Sequence, residues 1–352
     1  MAKKKKIFLE MAFWDKFSEC CPDRWTDPEK FKKWDHLYDF IRRSSVFVDK
    51  PFSELVENAQ NDRPLQLLMK SNVGGESDLE VSSYPFPDLE SDEEFKTDDY
   101  SSVFFSAEDH TQGARKHGVI NICCDNIWEQ EAKFGDTGVP VKKGERFAWS
   151  EMGILQENSN AMVIIDNFLL KQNKQGKCNP SMDLMELLQL SLPHSFSGKY
   201  VISIFYYDDG RNAANESSSP EQREFVRESR KDEFYNSIMK FIKNERQGLK
   251  VELELFPTYD DVPNDYSKCF HDRVILTNNV WVGSEAGFDM LRRDKELKMN
   301  VAKKSTTTHC LYVGFGSDEA KWLDDSYDNR LSEAKQCLAR YKYKNPQNRL
   351  LK

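Results

Sequence analysis

Short apolar runs and helical apolar spacings alternate through the first half of the chain. Residues 6–10 and 45–48 are apolar runs of strand length, and each is followed by residues whose apolar positions recur at helical spacing. Residues 102–105 and 119–124 are further predicted strands, on either side of a helix predicted over 108–117. This alternation of strands and helices predicts an α/β domain built on a parallel sheet.

Residues 74–99 interrupt this alternation, because they are rich in Asp, Glu, Ser and Pro. Such a composition is typical of solvated connections between regular elements. We therefore predict that this segment is an acidic insertion in the first domain, which forms a solvated excursion or flap.

A second block of apolar runs begins near Trp149. Its predicted strands cover residues 161–166, 199–205, 250–256, 270–277, 280–282 and 306–315, and its predicted helices cover 181–191, 220–244 and 317–341, with a further helix start at Gly287. Asn278 and Asn279 are a turn signal between two of these strands, which predicts an antiparallel pair. We therefore expect two α/β domains, residues 1–148 and 149–352, with a mixed sheet flanked by helices in the second.

Length and composition agree with two folded domains. A chain of 352 residues, 39% hydrophobic and 12% aromatic, is long enough and apolar enough to bury two cores. It contains no apolar run near the roughly 20 residues that span a bilayer, and the four lysines at positions 3–6 are not followed by the apolar stretch of a signal peptide. We expect a soluble, cytoplasmic protein without a transmembrane segment.

Charge and cysteine content narrow the function classes. The net charge of −9 argues against a general electrostatic grip on nucleic acid and leaves room for a local basic groove. The eight cysteines include no Cys-X-X-Cys motif, so neither structural zinc nor a disulfide framework is expected. Most of the cysteines are predicted to be reduced, buried residues.

The order of elements from about residue 161 to 315 resembles the phospholipase D-like domain found at the C-terminus of MIT-domain proteins. The residues that carry this resemblance are Asp166-Asn-Phe-Leu after a strand, His271-Asp-Arg273, Trp281, and Gly287-Phe-Asp289. The resemblance implies one altered copy of the superfamily's phosphodiesterase motif and a binding role without hydrolase activity. It also implies association through this domain, with a protein partner or as a homo-oligomer.

His271 and Arg273 are the candidate phosphate-binding or ligand-binding residues of the second domain. Alternation along a strand places both side chains on one face, and an imidazole beside a guanidinium is a candidate phosphate site. In catalysis, His271 would be the nucleophile and Arg273 the charge clamp. The active members of the superfamily carry Lys at the third position and need two motifs. Activity would therefore require a homodimer or a surrogate such as His194 or His309, neither of which fits a recognisable motif. A polar cluster that only pins the sheet is the alternative.

Three segments of the first half resemble a PIN-like nuclease domain. Residues 6–14 resemble its opening strand, residues 46–55 its second strand and following helix, and residues 108–125 its third segment. The acids that this resemblance assigns to catalysis are Glu10, Glu54, Asp109 and Asp125, of which Glu10, Asp109 and Asp125 would hold the metal. The family usually begins with Asp rather than Glu, and the insertion at 74–99 lies where a compact domain has a helix.

The carboxyl ends of parallel strands and the adjacent helix starts converge on one crevice, so acids at these positions can meet. Hard oxygen ligands of this kind can hold Mg²⁺ or Mn²⁺, which would polarise a scissile phosphate and lower the pKa of an attacking water. Each acid also has a structural explanation, as a helix cap or as a solvated side chain.

Three functions from different classes follow. The first is a divalent-metal-dependent endoribonuclease that acts on RNA and is controlled by the phospholipase D-like domain, an arrangement expected of a prokaryotic toxin or an antiviral defence effector. The second is a non-catalytic interaction or scaffold protein that self-associates through its phospholipase D-like domain. The third is a dimeric phosphodiesterase that uses His271.

Overall fold

A computed structural model describes the protein over residues 5–73, 78–81, 86–96, 99, 102–125, 127, 137–172, 178–208, 210, 219–259, 273–284, 287–288, 290–296, 298–313 and 321–352. The chain divides into two compact units: unit 1 is Met1–Gly135 with Tyr312–Asp325, and unit 2 is Asp136–Leu311 with Ser326–Lys352. The predicted α/β fold class is confirmed. The division falls before the predicted boundary at residue 148, because a strand at Thr137–Val141 pairs within the sheet of unit 2.

Unit 1 is built on a five-stranded parallel sheet with the strand order β3-β2-β1-β4-β5. Its strands are β1 (Lys6–Leu9), β2 (Ser45–Val48), β3 (Asp78–Val81), β4 (Ser102–Ser106) and β5 (Ile120–Cys123). Its helices are α1 (Met11–Glu19), α2 (Pro28–Arg43), α3 (Phe52–Ala59), α4 (Arg63–Val73) and α5 (Thr111–His117). The parallel sheet predicted from the alternating pattern is therefore confirmed.

Local sequence explains the central elements of unit 1. Ile7, Phe8 and Leu9 of β1 are completely buried, since a central strand covered on both faces needs a continuous apolar run. α2 begins where the side chain of Asp27 accepts a hydrogen bond from the backbone N–H of Lys30 at 3.3 Å, with a proline in the first turn.

The described parts of residues 74–99 differ from the predicted solvated excursion. β3 lies inside this segment and pairs with β2. Leu89 and Phe95 are buried, and the buried Asp99 forms an ion pair with Lys6 at 2.6 Å. The strand and the buried residues were not predicted, because the apolar residues of this acidic segment are few and widely spaced.

The stretch just before Glu90 packs directly on α5. Gly113 of α5 has no room for a side chain, because a Cβ there would collide with the carbonyl oxygen of Leu89 and would also lie 3.0 Å from the carboxylate of Glu90. The close backbone approach fixes this stretch against the helix that follows β4.

Unit 2 contains a seven-stranded sheet with the order β11-β10-β7-β12-β13-β16-β6. The strands of this unit are β6 (Thr137–Val141), β7 (Ala161–Ile165), β8 (Leu170–Gln172), β9 (Cys178–Pro180), β10 (Tyr200–Tyr207), β11 (Val251–Thr258), β12 (Arg273–Thr277), β13 (Val280–Ser284), β14 (Leu291–Arg293), β15 (Asn300–Ala302) and β16 (Thr306–Tyr312). Its helices are α6 (Met182–Ser191), α7 (Pro220–Glu245) and, from Ser326 onwards, α8 (Lys321–Arg340). β7, β10 and β11 are parallel, whereas β12 is antiparallel to β7 and β13. The predicted mixed sheet is therefore confirmed.

Helix starts in unit 2 follow capping signals in the sequence. The side chain of Ser181 accepts a hydrogen bond from Leu184 N at 3.1 Å before α6. Ser219 and Gln222 form a capping box before α7, with Pro220 in its first turn. Among the residues described, no helix has the length and apolar character needed to cross a membrane.

The helix start predicted at Gly287 is wrong within the described residues. Gly287 has a φ of +80°, a left-handed conformation typical of a turn, and the next element is the strand β14. A Cβ at Gly287 would lie 2.5 Å from Cδ of Arg273, so the glycine allows a close approach.

Candidate functional site

A cleft of about 190 Å³ opens at the carboxyl edge of the sheet in unit 1. It is lined by the ends of β1 and β4, the stretch before Glu90 and the residue before α5, through Phe8, Glu10, Phe86, Pro87, Asp88, Leu89, Phe104, Phe105, Ser106 and His110. β1 continues through α1 and α2 to β2 on one side, whereas β4 continues through α5 to β5 on the other. The connections thus diverge between β1 and β4, which is where open parallel sheets bind ligands.

Aromatic side chains form one wall of the cleft. The ring of Phe8 stacks on Phe104 with 4.9 Å between centroids, and Phe86 meets it edge-on at 5.1 Å. Phe8 and Phe104 are buried, whereas Phe86 is half-buried. Phe86 therefore contributes the partly exposed aromatic surface of this wall, and the two buried rings support it from behind.

Glu10 is the acid at the end of β1. Its Oε2 accepts a hydrogen bond from the backbone N–H of Ala107 at 2.7 Å, and its own N–H donates to Phe105 O at 3.0 Å. The residue is extended and stands at the N-cap position of α1, without a side-chain cap hydrogen bond. The carboxylate is therefore directed across the sheet edge towards the turn after β4.

A buried amide braces that turn. Asn121 Nδ2 donates to Ser106 Oγ at 2.6 Å, and its Oδ1 accepts from the backbone N–H of His110 at 3.0 Å. Ser106 Oγ in turn donates to the carbonyl of Glu108 at 2.8 Å. The Ser106 hydroxyl is thus used both as a donor and as an acceptor inside the turn, so its role at the cleft is structural.

His110 forms part of the cleft rim. Its Nδ1 lies 3.1 Å from Oε1 of Glu90, and its side chain is 29% exposed. When Glu90 accepts a hydrogen bond from Nδ1, the ring orientation and the tautomer are set and Nε2 is left as the second proton site.

Of the four predicted catalytic acids, Glu10 alone lines the cleft. Glu54 is half-exposed on α3 with its carboxylate 3.5 Å from Nζ of Lys50, and Asp125 is exposed after β5. Asp109 is exposed, and hydrogen bonds from Thr111 lower its pKa. Within the described part of the chain, which includes all four acids, no three His, Cys, Asp or Glu side chains are grouped so that they could hold a metal ion.

Sequence reasoning missed the other polar residues of the cleft. Asp88 lines the cleft from the predicted flap, and His110 stands next to the predicted Asp109 without any motif of its own. Glu90 of the same flap does not line the cleft but contacts His110. Asp15 and Asp62 are further neighbouring acids that the sequence did not indicate. Burial and the neighbouring Asp62 carboxylate raise the pKa of Asp15.

In unit 2, Arg273 begins β12 beside the end of β7. The side chains of Arg273 and Asp166 both approach Gly287 closely: a Cβ added there would lie 3.0 Å from Arg273 Nε and 3.0 Å from Asp166 Oδ2. Asp166 is fully buried and accepts hydrogen bonds from Phe168 N at 2.8 Å and from Phe288 N at 2.5 Å. The guanidinium of Arg273 lies 5.1 Å from the ring centroid of the half-exposed Phe168. The other predicted binding residue, His271, lies outside the described residues.

The chain matches no protein-family model, and no curated protein is significantly similar to it. The resemblances to PIN-like and phospholipase D-like domains therefore stay predictions that rest on the residues quoted for them.

Proposed function

We propose that unit 1 is an endoribonuclease that acts at the cleft, and that unit 2 recognises a ligand or partner that controls it. The observation that carries this proposal is the position of Glu10. This acid stands at the carboxyl end of the central strand and lines a cleft at the divergence of two connections, where parallel α/β sheets bind their ligands.

The cleft suits one unstacked base of an RNA chain. Its volume of about 190 Å³ is smaller than the roughly 300–1,000 Å³ of sites that enclose a drug-sized ligand, so it fits one part of a larger substrate. Phe86, the half-buried ring packed edge-on against Phe8, supplies an aromatic side chain at the cleft, and single-stranded RNA is commonly recognised through bases that pack on aromatic side chains.

The described acids do not fit the Mg²⁺ or Mn²⁺ site predicted for this activity. Such a site needs several carboxylate oxygens at one point. Asp109 accepts a hydrogen bond from Thr111, and Glu54 lies beside Lys50. Among the described residues, Glu10 is not part of any group of three side chains that could hold a metal ion. We therefore derive the chemistry from the residues of the cleft and route no step through a metal.

Cleavage of a labelled single-stranded RNA tests the proposal, with and without Mg²⁺. The wild-type protein should cleave the RNA, and Glu10→Gln should reduce the rate at least about 100-fold, because a positioned acid or base contributes about that much to the rate. Glu57→Gln, on the exposed face of α3, is the matched control and should cleave like the wild type. Equal rates for wild type and Glu10→Gln, or no cleavage by the wild type in either buffer, would contradict the proposal.

The controlling role is assigned to the edge of unit 2 that carries Arg273. A guanidinium that lies over a half-exposed ring can donate hydrogen bonds to an anionic ligand. Titration of the intact protein with inorganic phosphate checks this role: Arg273→Gln should weaken binding about tenfold or more, whereas Arg292→Gln, exposed on β14, should not. The same weakening in both variants would indicate a general charge effect instead.

A further inference from the structure

We propose that Glu10 and His110 transfer the protons in RNA cleavage at this cleft, so that the 2′-hydroxyl of the substrate is the nucleophile. This inference rests on the proposed function, because it requires that RNA is cleaved at the cleft. It adds the chemical route and the identity of the product ends, neither of which follows from the predicted metal chemistry.

The carboxylate of Glu10 is fixed and keeps an acceptor oxygen. Oε2 receives the N–H of Ala107, and the backbone of Glu10 is bonded to Phe105, so the residue is tied twice to the end of β4. Within the described residues, Oε1 has no hydrogen-bond donor. An ionised carboxylate only accepts hydrogen bonds, so this oxygen can receive a proton from a hydroxyl that enters the cleft.

The imidazole of His110 is held in a complementary way. Glu90 contacts Nδ1 at 3.1 Å, and the backbone N–H of His110 donates to Asn121 Oδ1 at 3.0 Å. A carboxylate on one ring nitrogen orients the ring and directs proton transfer to the other nitrogen. Nε2 is therefore the atom that can give a proton to a leaving group, and Glu90 acts as a positioning residue.

Both proton-transfer groups share one support. Ala107, which holds Glu10, and His110 belong to the same turn after β4, and Asn121 braces that turn from β5. A fixed relative position is what acid–base catalysis needs from a scaffold, because rates fall steeply when the reacting groups are misplaced. Glu10 and His110 both line this small cleft, so a phosphodiester bound in it would lie close to both side chains.

The reaction balances without a further reactant. Glu10 takes the proton of the 2′-hydroxyl, and the 2′-oxygen forms a bond to the adjacent phosphorus. The bond from phosphorus to the 5′-oxygen of the next nucleotide breaks, and the imidazolium of His110 gives its proton to that oxygen. The products are one strand with a 2′,3′-cyclic phosphate and one strand with a 5′-hydroxyl.

Product analysis of a defined RNA by mass spectrometry tests the route. The wild-type protein should give 2′,3′-cyclic phosphate and 5′-hydroxyl ends, also in the presence of EDTA. An RNA with a 2′-deoxy sugar at the cleavage position should resist cleavage, because it lacks the nucleophile. Ends with 3′-hydroxyl and 5′-phosphate groups, or cleavage of the 2′-deoxy substrate, would overturn this route while leaving the endoribonuclease proposal in place.

A substrate with a 5′-thio leaving group separates the two roles. Sulfur leaves without protonation, so His110→Gln should lose about 100-fold or more on the normal RNA and recover to near the wild-type rate on the thio substrate. Glu10→Gln should stay slow on both substrates. His194→Gln, an exposed histidine of unit 2, is the control and should match the wild type on both. Recovery of Glu10→Gln, or no recovery of His110→Gln, contradicts the assignment.

The result also distinguishes the two levels of proposal. No RNA cleavage by the wild type overturns the endoribonuclease function and this route together. Cleavage that requires Mg²⁺ and is lost in Asp125→Asn overturns only the route, and it would favour the predicted metal quartet. Unfolding midpoints close to that of the wild type should show that Glu10→Gln and His110→Gln are folded, because glutamine at position 10 retains an acceptor for Ala107.

Discussion

The carboxylate of Glu10 accepts the backbone N–H of Ala107 at 2.7 Å, and this hydrogen bond ties the end of β1 to the turn after β4. The same carboxylate therefore supports the fold through one oxygen and faces the cleft with the rest of the group. Structural and chemical roles of Glu10 can be separated by substitution, because Gln keeps an acceptor and Ala does not.

Glu10→Ala should lower the free energy of unfolding of unit 1 by about 1–3 kcal/mol, because it leaves the Ala107 N–H without its acceptor. Glu10→Gln should cost less than about 1 kcal/mol, since a neutral acceptor replaces the charged one. Urea unfolding followed by tryptophan fluorescence measures both values. Equal losses in the two variants would show that Ala107 does not depend on this acceptor.

Gly113→Ala should destabilise unit 1, although alanine is normally the better helix residue. The added Cβ would collide with the carbonyl of Leu89, and such overpacking costs about 1–3 kcal/mol. Gly153→Ala is the control, since nothing lies within 4 Å of its Cβ position, and it should change stability by less than about 1 kcal/mol. Thermal unfolding of the two variants measures both effects. Equal unfolding temperatures for Gly113→Ala and Gly153→Ala would contradict the close packing of Leu89 on α5.

Arg230→Met should destabilise unit 2 by about 3–5 kcal/mol. Arg230 pairs with Asp208 at 2.7 Å with both side chains buried, and removing one partner leaves a buried charge without its counter-ion. Lys199→Met removes the exposed partner of Glu252 and should leave the stability close to that of the wild type, because exposed ion pairs are screened by solvent. Chemical denaturation of both variants gives the comparison, and similar small losses would argue that Asp208 is stabilised in another way.

The stability of unit 1 should fall as the pH drops below about 6.5, the ordinary pKa of histidine. Burial lowers the pKa of His117, whose ring stacks on Phe95 at 3.9 Å and contacts Ser91 O at 3.0 Å. The unfolded chain then binds a proton that the folded chain excludes, so this part of the stability is present at higher pH and lost on acidification. His117→Phe keeps a ring against Phe95 and should flatten the decline of the unfolding midpoint between about pH 6.5 and 5. An unchanged decline would assign it to other groups.

Much of the fold follows from local sequence. Residues 7–9 of β1 and the whole of β7 are buried, continuous apolar runs, and the capping residues Ser181 and Ser219 mark the starts of their helices. β3 was not predictable in this way, because its four residues alternate acidic and apolar side chains inside an acidic segment. Its pairing with β2 is a tertiary effect that composition does not report.

The candidate site was predictable only in part. Glu10 follows the first strand of a parallel sheet, a position where functional acids are expected. The contact between His110 and Glu90 joins residues 20 positions apart, on a loop and a turn that have no periodic pattern. Local pattern therefore finds a residue at the end of a strand and misses one that a neighbouring connection brings to the same place.

The cleft has one wall that belongs to neither a strand nor a helix. Phe86, Pro87, Asp88 and Leu89 lie on the connection between β3 and β4, whereas Glu10 directly follows the central strand β1. Connections tolerate changes of length and sequence far better than buried strands do. Substitutions in this one segment should therefore alter what the cleft binds without altering the central strands or the acid that follows β1.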